Sequence, residues 1–322
     1  MVQARILKEL IADGRQSDSE IAEKLGLTKA VVKNGIQKMQ KMGVITGATI
    51  HINYKLFGYK AVAHILINVD SQQAEQLLEY LQKMPGVYSA YSESIKGNID
   101  VVATLKTLEQ LNEIKDAIKR HFSVLEMRTA IWTDVKEMNE NLAITPENRK
   151  KISESDNHHE YLKKKMSCQN VAIDQIDQKI ADVLSENGRI SIEALGREIG
   201  ISSETAKRRY EKLKENGVLK VTIQVNPNKI GYRALCIFFT ITNEKSPSII
   251  EKISRIPDII SIMKTTGDYD LQIWAMIQDI DELLAIQDEI SKVAGIRRVD
   301  IEIAGLSHWE KWPSPRQYIS TF

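Results

Sequence analysis

The sequence has few of the residues that mark several classes of protein. Cysteine occurs twice, at Cys168 in a charged segment and at Cys236 in an apolar run, which indicates neither a disulfide framework nor a metal site. The longest apolar runs, such as Ala234 to Phe239, fall far short of the ~20 residues that a membrane helix needs. No secretory signal is visible after Met1. These absences predict a cytoplasmic protein with no membrane partner.

An excess of charge of one sign is also missing. Lysine and arginine total 44 and aspartate and glutamate 43, for a net charge of +1, so contact with a polyanion must come from local patches. The 322 residues, 43% hydrophobic and 27% charged, suit two to four small globular domains. No catalytic array, Cys/His cluster or phosphate-binding glycine loop is visible, so we expect no catalytic residues, no metal and no cofactor.

What the chain does contain is one unit written twice. Ala22-Glu-Lys-Leu-Gly-Leu aligns with Gly196-Arg-Glu-Ile-Gly-Ile at an offset of 174 residues. Phe57-Gly-Tyr-Lys-Ala aligns with Ile230-Gly-Tyr-Arg-Ala at an offset of 173. Self-similarity at a fixed spacing indicates tandem duplication of one structural unit.

Each unit begins with the pattern of a helix-turn-helix. In the second unit, Ser202 or Ser203 can cap a helix whose buried stripe includes Ala206, Tyr210 and Leu213. Such a helix can enter the major groove of DNA, although a solvated basic face is the plainer alternative. The residues predicted to meet DNA here are Ser202, Ser203, Lys207, Arg208, Arg209 and Lys212. On the matching helix of the first unit they are Lys29, Lys33, Asn34 and Lys38.

The rest of each unit alternates as strand, helix, strand, strand, helix, strand, which is typical of a ferredoxin-like βαββαβ domain. The fold class is therefore α+β, with two tandem units that each join a winged-type helix-turn-helix to a ferredoxin-like domain. One face of each sheet lacks helices and needs a partner. The predicted ranges are 1–54 and 171–228 for the helix-turn-helix domains, 55–135 and 229–306 for the ferredoxin-like domains, 136–170 for a linker, and 307–322 for a docked tail.

Two short motifs connect these domains to a known family. Asp174, Asp177 and Ile180 form Asp-x-x-Asp-x-x-Ile before the second helix-turn-helix, and Gly267-Asp-Tyr-Asp forms Gly-x-Tyr-Asp in the second ferredoxin-like domain. In order and spacing the chain resembles the Lrp/AsnC (feast/famine) family of transcription regulators, over both units. The resemblance implies a cytoplasmic regulator that binds double-stranded DNA. Its ferredoxin-like (RAM) domains would pair through their open faces and sense a small effector, such as an amino acid.

The resemblance also implies site residues. The effector-binding residues would be Gly267, Asp268, Tyr269 and Asp270 in the second unit and Gly97, Asn98 and Asp100 in the first. The basic residue that the family usually carries on the recognition helix falls at Arg209, but the first unit has Gly35 in that place. Either the first helix holds phosphates through its lysines while the second reads bases, or the first helix is a degenerate structural copy.

Other functions and assemblies remain open at this point. Siroheme decarboxylases are similar to the family in fold, and His64 on a predicted strand could serve such an enzyme, although it alternates with apolar residues as a core histidine would. A ligand sensor without DNA binding is a further alternative. The sheets could pair within one chain as a pseudo-dimer, or between chains as a homo-oligomer.

Overall fold

The computed structural model describes residues 2–92, 98–138, 171–243, 247–306, 312 and 319–320. Gly97, most of the predicted linker and most of the predicted tail lie outside these ranges. No helix within them is both long enough and apolar enough to cross a bilayer.

The first unit opens with three helices and a wing strand, namely α1 (Val2–Ala12), α2 (Asp18–Leu25), α3 (Lys29–Lys41) and β1 (Ile45–Asn53). Ser17 caps α2: its hydroxyl accepts from the Glu20 backbone N–H, and the Glu20 carboxylate accepts from the Ser17 N–H. This capping box satisfies two of the free donors at the helix start. The turn into α3 passes through Gly26 at φ +66°, a left-handed conformation that favours glycine.

A four-stranded antiparallel sheet follows. Its elements are β2 (Ala61–Val69), α4 (Ala74–Gln82), β3 (Val87–Ser92), β4 (Asn98–Leu105), α5 (Glu109–His121) and β5 (Val124–Met138). The strand order is β5-β2-β4-β3, which is the ferredoxin-like arrangement. Leu77 and Leu81 of α4, with Ile114 and Ile118 of α5, pack on one face of the sheet.

The second unit repeats the first. Its elements are α6 (Gln175–Glu186), α7 (Ile192–Ile199), α8 (Ser203–Glu215), β6 (Leu219–Val225), a short 3-10 turn (Pro227–Ile230), β7 (Ala234–Thr242), α9 (Pro247–Ser254), β8 (Ile259–Thr266), β9 (Leu271–Ile277), α10 (Ile280–Lys292) and β10 (Ile296–Gly305). Of the two serines proposed to cap the recognition helix, Ser202 does so, because its hydroxyl accepts from the Thr205 N–H.

Strand β5 is longer than predicted, and its second half joins the two sheets. The sequence pattern ended this strand at Trp132, whereas the strand continues to Met138 and pairs antiparallel with β8. The joined strands run in the order β10-β7-β9-β8-β5-β2-β4-β3.

The helix-free faces of the two sheets pack on each other. Val62 and Trp132 from the first sheet share one hydrophobic core with Ile237 and Trp274 from the second. We call this contact the inter-sheet interface. It is the intrachain alternative among the predicted assemblies.

The two helix-turn-helix units are also bound to each other by reciprocal contacts. The Arg15 guanidinium donates to the Ile190 carbonyl, and the Arg189 guanidinium donates to the Gln16 carbonyl at 3.3 Å. The wing strands pair antiparallel, with Thr49 opposite Thr222. A contact that is repeated with the partners exchanged is the mark of two-fold symmetry, so the chain has a pseudo-two-fold axis.

Two glycines allow this close approach. The Gly14 N–H donates to Val221 at 2.9 Å, and the Gly188 N–H donates to Ala48 at 2.8 Å. A Cβ on either glycine would lie 2.8 Å from backbone atoms of the opposite wing strand. The small residue is therefore required at both positions, 174 apart like the rest of the repeat.

The described part of the tail lies along the paired wings. Trp312 is buried and exchanges two backbone hydrogen bonds with Val225, at 2.7 and 2.8 Å. A two-residue strand, β11 (Ile319–Ser320), pairs in parallel with β1 at the other edge of the small sheet. The predicted docking of the tail is thus seen at Trp312, while Trp309 lies outside the described residues.

Candidate nucleic-acid interface and effector site

Helix α8 presents a basic outer face. Ser203, Lys207, Arg208 and Lys212 are exposed, as is the capping Ser202. Lys207 lies 3.9 Å from Glu211 one turn later, a distance that leaves the ammonium free to move. These side chains can reach a phosphate backbone or a base edge without rearrangement of the helix.

Arg209 does not lie on that face, although it was expected there. Its Nη1 donates to Asp174 at 2.7 Å and to Asp177 at 2.9 Å, which ties α8 to the start of α6. These two hydrogen bonds raise the pKa of Arg209. Hydrogen bonds from the Asp177 backbone and from Arg209 lower the pKa of Asp174. We therefore assign Arg209 to the packing of the domain and leave DNA contact to its exposed neighbours.

This assignment predicts a loss of stability. Arg209→Met leaves the Asp177 carboxylate, which is 6% exposed, without its cation, so the free energy of unfolding should fall by about 1–3 kcal/mol. The exposed neighbour gives a matched control, because Arg208→Met removes the same charge from the surface. Urea denaturation followed by circular dichroism measures both. Equal midpoints for the two variants would contradict the assignment, and Asp177→Asn should partly rescue Arg209→Met.

Helix α3 carries a basic face with no acidic neighbour. Lys29, Lys33, Asn34 and Lys38 are all exposed, and none forms an ion pair with another described residue. A surface with only one sign of charge suits contact with phosphates.

Gly35 has a packing reason. A Cβ at this position would lie 2.9 Å from Cδ1 of Ile6, a fully buried residue of α1. The first unit also has Gln3 where the second has Asp177, so Arg209 and its acidic partner are lost together. Replacing Gly35 by alanine gains helix propensity but crowds Ile6, so we expect little net change in stability.

The Gly-x-Tyr-Asp turn of the second unit is held by its own hydrogen bonds. Gly267 has φ +124°. The Asp270 carboxylate accepts from the Thr242 backbone N–H at 2.9 Å. The Tyr269 hydroxyl donates to Asp300 at 2.5 Å. Burial and this hydrogen bond raise the pKa of Tyr269. Asp270 therefore shapes the turn, and Asp268 is the exposed carboxylate of the motif.

The matching residues of the first unit are placed differently from the sequence alignment. Leu66 lies opposite Asp100 in the first sheet, and its repeat counterpart Phe239 lies opposite Gln272 in the second. Asp100 therefore corresponds in structure to Gln272, and Asn98 takes the place that matches Asp270. Asp100 is fully buried in the inter-sheet interface, where a solvent-borne effector cannot reach it.

Asp100 belongs instead to a buried polar chain. The His64 imidazole Nε2 lies 2.6 Å from Asp100 Oδ1, and its Nδ1 lies 2.7 Å from the Gln272 side-chain nitrogen. Gln272 Oε1 accepts from Trp132 Nε1 at 2.7 Å. Since the amide donates to Nδ1, that nitrogen accepts and Nε2 donates to the carboxylate. The chain links both sheets through one histidine.

A second polar contact crosses the same interface. Arg128 donates to Glu302 at 2.6 Å. Burial raises the pKa of Glu302, against the attraction of Arg128. Sequence reasoning missed Gln272, Trp132 and this pair, although a polar residue alternating with apolar ones on an open sheet face was the available signal. In the described ranges, no three acidic, histidine or cysteine side chains group closely enough to hold a metal ion.

Comparison with known proteins agrees with these domains. Family models match residues 173–214 as an AsnC-type helix-turn-helix domain, 3–46 as a winged helix-turn-helix DNA-binding domain, and 236–306 as the Lrp/AsnC ligand binding domain. The chain is 33% identical over 113 residues to the transcriptional regulator Ptr1 of Methanocaldococcus jannaschii, covering 34% of this chain and 76% of that protein. It is 31% identical over 129 residues to the regulator LysM of Saccharolobus solfataricus, covering 39% and 89%.

Among solved structures, a siroheme decarboxylase, NirDL, has a similar fold over almost the whole chain. The TM-score is 0.61 at 16% identity, with 94% of this chain and 90% of that chain covered. At this identity the likeness concerns the fold, and it extends to the arrangement of two units. By its paired helix-turn-helix and ligand-binding domains and its curated relatives, the chain belongs to the Lrp/AsnC family of helix-turn-helix transcription regulators.

Proposed function

We propose that this chain regulates transcription by binding duplex DNA through two unlike recognition helices held in one pseudo-dimer. Helix α8 reads bases with Arg208 and its exposed neighbours, and helix α3 holds phosphates with its lysines. The observation that carries the proposal is the reciprocal docking of the two helix-turn-helix units, which leaves both basic faces exposed. A fixed pair of recognition helices suits an operator with two half-sites. A protein of this kind works in the cytoplasm, beside the chromosome.

We further propose that a small effector, such as an amino acid, binds the second ligand-binding domain. The family model for ligand binding matches residues 236–306, in the second unit. The Asp268 carboxylate is exposed beside the turn and pairs with no described residue, so it can meet the ammonium of an amino acid. Thermal shifts with a panel of amino acids test this. The variant Asp268→Asn should lose the shift, and Asp279→Asn, which changes a carboxylate at the start of α10, should keep it.

The test of DNA binding begins with selection of bound sites from random duplexes. The selected duplex is then titrated at several salt concentrations. If the six exposed cations of α3 and α8 meet phosphates, the logarithm of the association constant falls with the logarithm of salt with a slope of about −5. Retention on duplex DNA that does not change with salt would refute the proposal.

A second candidate function is decarboxylation of siroheme, favoured by the shared two-unit fold. Asp100 Oδ2 and Trp274 Nε1 are buried in the inter-sheet interface without partners among the described residues, so polar capacity remains there. The interface is nevertheless filled: the His64 ring centre lies 6.1 Å from those of Trp132 and Trp274 and 6.3 Å from that of Phe239. A tetrapyrrole would need these rings to separate. Incubation with siroheme, with mass spectrometry of the product, decides the matter: loss of carbon dioxide would establish the enzyme.

A further inference from the structure

The two sheets that meet in the inter-sheet interface carry unlike polar residues at matching positions. The ladders place Leu66 opposite Arg128 and its counterpart Phe239 opposite Asp300. They also place His64 opposite Ala130 and its counterpart Ile237 opposite Glu302. The repeat therefore matches four pairs of inward-facing residues, namely Arg128 with Asp300, Ala130 with Glu302, His64 with Ile237, and Asp100 with Gln272.

A pair of identical second sheets would bring like charges together. Glu302 now receives the Arg128 guanidinium at 2.6 Å. In a pair of second sheets, the place of Arg128 is taken by Asp300 of the other copy. Arg298 already binds Asp300 at 2.9 Å from the same strand, so it compensates Asp300, but Glu302 loses its cation. The Glu302 side chain is only 17% exposed, so water cannot replace that cation well.

The same pair would also leave an amide unsatisfied. The place of His64 would be taken by Ile237, which has no hydrogen-bonding group. The Gln272 side chain is fully buried, and its nitrogen would lose the imidazole that it now contacts at 2.7 Å. Trp132, the donor to its oxygen, would also be absent. A buried polar group without partners is costly.

A pair of identical first sheets fails for a different reason. Asp100 of the other copy would take the place of Gln272, so each imidazole would lie between two carboxylates. Both ring nitrogens would then have to donate, which requires two protonated histidines and two carboxylates in a buried site. Arg128 would meet Ala130, which offers no acceptor. The unlike pair avoids all of these costs with one histidine, one carboxylate and one amide.

We propose that the inter-sheet interface is specific for unlike halves: the first half binds the second half of the same chain and rejects a second copy of itself. One chain is then a complete pseudo-dimer, and free chains do not join through these sheet faces. The polar residues that set the choice are Arg128 and Glu302 at the edge and His64, Asp100 and Gln272 in the centre. This specificity does not depend on DNA binding.

The test uses the full-length chain with a disulfide reporter. Asp134 and Lys264 lie opposite each other in the ladder between β5 and β8, at a separation that a disulfide can bridge. Asp134→Cys with Lys264→Cys, in a Cys168→Ser background, forms an internal disulfide only when unlike halves pair. Native mass spectrometry counts the chains, and the rate of disulfide formation reports the pairing.

We expect one chain at every concentration and an internal disulfide in the reporter. Arg128→Glu should slow its formation severalfold and produce species of two chains, while Arg128→Met should have a smaller effect. Arg128→Glu with Glu302→Arg should restore the reporter. If Arg128→Glu does not fold, Gln272→Leu keeps the charges and should still slow the disulfide. Interchain disulfides in the reporter, or a charge exchange that does not restore pairing, would overturn the proposal.

Discussion

Replacing Trp132 by alanine is expected to lower the free energy of unfolding by about 3–5 kcal/mol, the range for a buried tryptophan. Trp132 is 6% exposed, and its ring centre lies 5.6 Å from that of Trp274 in an edge-on contact. The alanine variant loses this contact, leaves a cavity between the sheets and removes the donor to Gln272. Urea denaturation followed by circular dichroism measures the change.

Two further variants separate the causes. Trp132→Phe keeps most of the ring but not the N–H, so it should lose about 1–3 kcal/mol from the unsatisfied Gln272 oxygen. Tyr80→Ala changes an aromatic residue on the outer side of α4, away from the inter-sheet interface, and should leave the pairing of the sheets intact. A loss below about 1 kcal/mol for Trp132→Ala would show that the interface is not a main source of stability.

Removing the three cations of α8 should nearly abolish specific DNA binding. If Lys207, Arg208 and Lys212 each contribute about one tenfold step, as hydrogen bonds to charged groups do, their replacement by alanine weakens binding about 1000-fold. The salt slope should fall by about 2.7 if all three meet phosphates. Fluorescence anisotropy with the selected duplex measures both quantities.

The control removes the same charge elsewhere. Lys83, Lys119 and Lys252 are exposed on the ferredoxin-like domains, and their replacement by alanine should leave affinity nearly unchanged. Replacing Lys29, Lys33 and Lys38 of α3 should weaken binding to all sequences equally, with the preferred sequence unchanged. If the α3 changes alter the preferred sequence and the α8 changes do not, the roles of the two helices are reversed.

Local signals in the sequence were sufficient for most of the elements. The capping box at Ser17, the cap at Ser202 and the strand Ala61–Val69 were predicted from hydrogen-bonding groups and alternation of neighbouring residues. The family and the α+β fold class followed from the repeated order of such elements. Each of these features depends on residues within a few positions of one another.

Features that depend on distant parts of the chain were not predictable in this way. The extension of β5 to Met138 exists because β8, more than 100 residues later, offers an edge to pair with. Arg209 was placed on the DNA face because a cation on a recognition helix suggests a contact with DNA, whereas Asp174 and Asp177 bind it inside the domain. The two-residue shift at Asp100 arises because loops of different length precede β4 and β9, which motif matching cannot detect.

The central claim is that one chain supplies both recognition helices to one operator. Native mass spectrometry of the complex with the selected duplex tests it most directly. The intrachain pseudo-dimer predicts one chain per duplex, with two protected half-sites about one helical turn, or a multiple of it, apart. Two chains per duplex, each protecting a single half-site, would contradict it.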